Sequence, residues 1–220
     1  MATVGVILSG SGHMDGAEIT ETVLALYFLD RAGVAVQCFA PNKNQFHVVN
    51  HLTREPTNET RNVLTEAARI ARGQVQDLKR ASMANLDALV MPGGLGVAKN
   101  LSDFATKGTD CTVDSDVVRL VTEAVKAQKP IVAICIAPAV LAAALKKAGR
   151  SATLTIGDDA ATAAAIIKLG STHEKCPVTE AVVDEKNRII STPAYMYDAK
   201  RKDVGAGIEA AIKQLMRWLA

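Results

Sequence analysis

Cys135 lies between an apolar run, Pro130–Ile134, and a stretch with helical patterning, Pro138–Lys147. A thiol on a strand-to-helix turn feels the positive end of the helix dipole, which favours the thiolate, its nucleophilic form. Such a turn also exposes its side chain on strained backbone, as in other nucleophile elbows. The competing reading is a structural thiol, because Cys is among the most buried residue types. Two other groups of residues could serve the nucleophile. Gly93 and Gly94, in Pro92-Gly93-Gly94-Leu95-Gly96, leave backbone N–H groups free to converge with that of Ile136 on an oxyanion. A tight turn that needs positive φ would use the same glycines. Glu18 and Glu21 stand three apart near a helix start, so they share a face. A carboxyl aimed into the pocket would be held protonated by desolvation and could shuttle protons, while two acids in a first turn also complement the dipole with no further role.

Other candidates carry less. The loop Ser9-Gly10-Ser11-Gly12-His13-Met14-Asp15-Gly16 looks like a phosphate cradle, with Gly12 at its centre, but it lacks the Lys-Ser/Thr ending of a P-loop and the glycine spacing of a dinucleotide fingerprint. His173 and Cys176 are two ligands at most, which do not make a metal site, and His173 is expected to cap or pack. Cys38, Cys111, Cys135 and Cys176 form no C-x-x-C pair, so free thiols in a reducing cytoplasm are the expectation, with no structural zinc or disulfide framework.

The elements that must position these residues alternate. Thr3–Ser9, a helix over about 17–32 and Val34–Ala40 form a βαβ opening, and apolar runs return at Leu86–Met91 and Pro130–Ile134. Strands apolar on both faces and linked by helices imply a parallel sheet covered on both sides, with ligands bound beyond its C-terminal edge. Helices are predicted over 138–147, 160–169 and 204–218, and a hairpin from Val182–Asp184 and Ile189–Thr192. Two polar stretches, 41–59 and 105–115, fit poorly and read as binding loops, lids or insertions. With 220 residues, 49% hydrophobic and 22% charged, one domain spanning 1–220 is expected. A net charge of +2 and 4% aromatics give no basic stripe or stacking platform, so nucleic acid is not an expected partner. No apolar run approaches the roughly 20 residues that span a bilayer. The first strand begins at Thr3, which leaves no room for a leader and points to a cytoplasmic protein.

Read together, Glu21-Thr22-Val23, Pro92-Gly93-Gly94 and Ile134-Cys135-Ile136-Ala137-Pro138, in this order and at these separations, resemble the PfpI-like branch of the class I glutamine amidotransferase-like superfamily. Gly5-Val6-Ile7-Leu8-Ser9-Gly10, Thr60-Arg61-Asn62-Val63-Leu64, Ala98-Lys99-Asn100-Leu101-Ser102 and Thr192-Pro193-Ala194-Tyr195-Met196 narrow the resemblance to the ElbB-type glyoxalases, a bacterial group also labelled isoprenoid-biosynthesis proteins. The resemblance implies a flavodoxin-like, doubly wound sheet and a homodimer. It makes Cys135 the nucleophile and Glu21 the pocket acid, with Glu18 in reserve. Glutaminases of the superfamily pair their cysteine with a downstream His-x-Glu, whereas His173 is followed directly by Glu174 here. Protease-like members carry a histidine where Ile136 stands, and the glycines that flank the glutaminase cysteine are Ala133 and Ala137. The implied chemistry is therefore conversion of a small 2-oxoaldehyde, such as glyoxal, to its hydroxy acid without glutathione, metal or other cofactor. The alternatives are a redox-sensing Cys135 on the oxidation ladder, or a regulatory module binding a partner through 41–59.

Overall fold

β-branched residues are frequent in the apolar runs, and most runs are closed within a few residues by Gly, Pro or Asn, so they resolve into short strands. The computed structural model describes residues 1–220. Its strands are β1 (Thr3–Ile7), β2 (Ala35–Ala40), β3 (Val48–Val49), β4 (Pro56–Thr57), β5 (Val75–Asp77), β6 (Ala88–Met91), β7 (Ile131–Ile134), β8 (Thr153–Leu154), β9 (Thr172–His173), β10 (Val182–Asp184) and β11 (Ile189–Thr192). Its helices are α1 (Ile19–Arg31), α2 (Val63–Ile70), α3 (Leu95–Lys99), α4 (Phe104–Lys107), α5 (Ser115–Lys126), α6 (Ala137–Lys147), α7 (Ala160–Lys168) and α8 (Arg201–Leu219).

The central sheet runs β10-β11-β7-β6-β1-β2-β5, and every pairing is parallel except the β10–β11 hairpin. Helices flank it, with α1 against α8 and α5 against α6, which is the flavodoxin-like α/β arrangement. The chain moves outward from β1 to β2 and β5 on one side and through β6, β7 and β11 on the other. The order therefore reverses between β1 and β6, and the loops after these two strands bracket a crevice where such sheets bind ligands.

β6 and β7 are buried along their whole lengths, as strands covered on both faces must be. Burying Ile131, Ile134, Leu89 and Met91 this completely contributes about 1.5–3 kcal/mol per side chain. α6 is buried from Ala137 through Leu145, and its alanines let it lie close to its neighbours. A helix held this firmly fixes the turn that leads into it.

The 182–184 and 189–192 hairpin is present, and α8 starts three residues ahead of its expected position. Of the two polar stretches, 41–59 carries the β3–β4 ribbon and 105–115 carries short helical turns.

Candidate active site

Cys135 occupies the turn between β7 and α6 with φ of +61°, the left-handed region, which non-glycine residues rarely adopt. Such a conformation costs roughly 1–3 kcal/mol and persists only where its surroundings enforce it. Here the Cys135 N–H donates to the Thr192 carbonyl at 2.9 Å, and the buried Ile134 and Ala137 hold the turn on either side. Cys135 is 7% exposed as a residue, so the sulfur sits in a tight recess. A cleft of about 860 Å³ lined by Lys175, Tyr197 and Lys200 does not include it.

Gly93 is pressed against the recess. A Cβ there would overlap the Cys135 Cβ and Glu21 Oε2, and one at Gly94, whose φ is +93°, would overlap the backbone of Gly16 and Glu18. Both glycines are thus demanded by close approach. The N–H groups of Gly94 and Ile136 face the Cys135 sulfur, where they favour negative charge.

The two acids divide. Glu21, on the first turn of α1, is fully buried; its Oε2 accepts from Gly93 N–H at 3.0 Å and its Oε1 from Tyr195 N–H at 3.2 Å. The second contact depends on Ala194, whose φ of +45° turns the next N–H toward the carboxyl. Burial first, and the nearby Glu18 charge second, push Glu21 up to about 8, against the opposing pull of the two N–H groups and the Cys135 thiol. Glu18 instead caps α1, its carboxylate accepting from Glu21 N–H at 2.6 Å, while its own N–H donates to the Gly93 carbonyl at 3.0 Å. Glu21 is the acid in the recess, and Glu18 is the cap that sets its position.

The sequence expectation that the helix dipole draws the Cys135 thiol down is corrected. Burial pushes it well above the ordinary thiol range and the Glu21 carboxylate adds to this, outweighing the N–H groups of Gly94 and Ile136. A neighbour that is itself protonated near neutral pH removes that second cause. Thiol and carboxyl therefore titrate as one coupled pair. When the pair loses its first proton, a thiol stands beside a carboxylate that can take its proton as the sulfur attacks.

The remaining sequence candidates lie apart from the sulfur or serve it indirectly. His173 belongs to β9, and its Nε2 accepts from Ile156 N–H at 3.3 Å, which is a packing role. Gly12, with φ of +127°, makes room for the ring of His51, which a Cβ would strike. The phosphate-cradle reading of the Ser9–Gly16 loop fails on chemistry, because buried acceptors, Asp15 Oδ1 and Gln45 Oε1, stand there without donors and would repel an anion.

Sequence reasoning did not find a cluster of imidazoles beside this loop. His13 and His51 meet edge to face at 4.9 Å between ring centroids, and His47 Nε2 lies 3.1 Å from Lys99 Nζ. Lys99 also donates to the Met14 carbonyl at 2.9 Å, and Met14 N–H donates to His51 Nε2 at 3.3 Å. Three of the four histidines thus gather where the 41–59 segment folds over the loop after β1. The available signal was that these three all fall within residues 13–51. The four cysteine thiols are free and buried.

The chain is similar to known proteins over nearly its whole length. The chain is 44% identical over 225 residues to the human glutamine amidotransferase-like class 1 domain-containing protein 3, mitochondrial, covering 98% of this chain and 82% of that one. It is 34% identical over 236 residues to the zebrafish (Danio rerio) ES1 protein, mitochondrial, covering 99% and 86%. A crystal structure of an isoprenoid biosynthesis protein with amidotransferase-like domain from Ehrlichia chaffeensis superposes with a TM-score of 0.93 at 43% identity, covering 100% of both chains. The mitochondrial relatives sit poorly with a plain cytoplasmic expectation, and no helix here is long and apolar enough to cross a membrane. The model of the DJ-1/PfpI family matches residues 12–195, and together with these likenesses it establishes that the chain belongs to the DJ-1/PfpI family.

Proposed function

We propose that the protein converts glyoxal or a similar small 2-oxoaldehyde to the hydroxy acid, without glutathione or other cofactor, through Cys135 and Glu21. The observation that carries this reading is a fully buried carboxyl, held up to about 8, sharing a recess with a cysteine on a left-handed elbow. An acid poised near neutral pH both gives and takes protons efficiently. The tight recess suits a substrate of a few heavy atoms.

In this reading the sulfur attacks one aldehyde carbon, and the proton of the thiol–carboxyl pair passes to the new alkoxide, giving a hemithioacetal. The N–H groups of Gly94 and Ile136 hold the oxyanion as it forms. Glu21 removes the C1 hydrogen, leaving an enediolate, and returns a proton to C2. Water then cleaves the thioester, releasing glycolate and the thiol. The whole sequence adds one water to glyoxal and needs no external oxidant.

The redox-sensing alternative draws on the same Glu21, which as a carboxylic acid would donate to an oxidised sulfur. Glycolate production from glyoxal without glutathione separates the two. Turnover in the intact protein that is lost in both Cys135→Ser and Glu21→Gln, with melting temperatures preserved, supports the aldehyde reading. Turnover surviving Cys135→Ser, or absent throughout, overturns it.

A further inference from the structure

Glu21 is sealed behind the sulfur with no exposed surface, so it can serve the carbon adjacent to sulfur but has no route to the substrate's outer oxygen or to incoming water. The second proton carrier must come from the open side of the recess. The loop after β1 provides that side: His13 carbonyl accepts from Leu95 N–H at 2.7 Å and Glu18 N–H donates to Gly93 carbonyl at 3.0 Å. Residues 13–18 are thus stitched to both neighbours of Gly94, whose own N–H faces the sulfur.

His13 projects from this loop with an exposed ring. The ring packs edge-on against His51, with 4.9 Å between ring centroids. His51 is itself pinned, its Nδ1 3.0 Å from the Val49 carbonyl and its Nε2 accepting from Met14 N–H at 3.3 Å, and Gly12 lacks the Cβ that would push it away. The flap over 41–59 therefore sets the position of His13 from behind.

We propose that His13 is a catalytic residue, the outer acid–base group that exchanges protons with the substrate oxygens and the hydrolytic water at Cys135. The inference rests on the aldehyde reading given above. In the enediolate, His13 takes the proton of the C1 hydroxyl and delivers one to the C2 oxygen, while Glu21 protonates C2, so the product is a hydroxyacyl thioester. In the last step His13 accepts a proton from water as its oxygen bonds to the thioester carbon, and the C–S bond breaks with the electron pair returning to sulfur. A neutral imidazole is required. Burial and the neighbouring His51 hold His13 below its ordinary range, Arg54 acts in the same direction, and Glu18 and Asp15 oppose them.

The test compares intact protein, His13→Gln and His13→Ala with glyoxal across pH, alongside the rate at which iodoacetamide alkylates Cys135. The expected result is a kcat loss of about 10²–10⁴-fold with little change in KM. The acid limb of the kcat profile should disappear, alkylation should be unchanged, and free imidazole should restore turnover to His13→Ala. A merely structural His13 would give no imidazole rescue. Active intact protein with both variants equally active, or impaired variants that imidazole does not rescue, overturns the role of His13. Intact protein that makes no glycolate overturns the aldehyde reading and this inference with it.

Discussion

The Glu21 carboxyl is raised in the folded protein from 4.5 to about 8, so folding favours its protonated form. The stabilisation from this raised value is complete below about 4.5 and drains away as pH rises through 8, because the unfolded chain releases that proton earlier. Thermal melts of intact protein should therefore fall in Tm across this window relative to Glu21→Gln, which has no carboxyl to ionise; parallel curves would contradict the assignment. Gly93→Ala brings a methyl into Cys135 and Glu21, and overpacking of this sort typically costs about 1–3 kcal/mol. A lower denaturation midpoint with slowed Cys135 alkylation is the expected outcome. Cys135, Glu21, Gly93 and Gly94 were candidates in the sequence because each sits near a strand-to-helix junction, but local pattern left Glu21 level with Glu18, and the family resemblance made the choice. His13, His47 and His51 were not, because their meeting depends on how 41–59 folds over a loop some 30 residues earlier in the chain.

At the scale of elements, α1 links fold and site. Glu18 caps the helix at Glu21 N–H, and its charge is the second cause of the raised Glu21 value. Glu18→Ala should cost about 0.5–2 kcal/mol through the lost cap and draw Glu21 downward. Chemical denaturation measures the first, and the Glu21 carboxyl resonance followed by NMR against pH measures the second. A variant with intact stability and an unmoved Glu21 would refute the double role. The alternation of β1, α1, β2, β6, β7 and α6 was readable because buried parallel strands and Ala-rich helices leave strong apolar runs. α2, β5 and α5 escaped that reading: β5 has only three residues with an exposed glutamine at its centre, and the two helices carry many charges on their outward faces. The 41–59 ribbon is held by side chain-to-backbone contacts such as Val49 N–H to Asp15 Oδ2 at 2.8 Å, which leave no periodic signal.

At the scale of the whole molecule, α1 presents Ile19, Val23 and Tyr27 outward at helical spacing, 48%, 49% and 52% exposed. An apolar stripe on the helix that carries Glu21 would be covered by a second copy in the expected homodimer. Sedimentation should give a dimer that Val23→Glu shifts toward monomer, and a monomeric intact protein would contradict that expectation. A parallel sheet covered on both faces followed from the apolar runs and its flavodoxin-like form from the family resemblance, but not its seven-strand order or the reversal between β1 and β6, because strand neighbours are set by long-range packing. That reversal matters for function, since it brings the loops after β1 and β6 to the recess that β7 ends in. The account centres on covalent chemistry at Cys135, and the most direct measurement is mass spectrometry of protein quenched during glyoxal turnover, with peptide mapping. A hydroxyacyl thioester on Cys135 is the predicted result; glycolate formed while Cys135 stays unmodified and untrappable, or in Cys135→Ser, would contradict it.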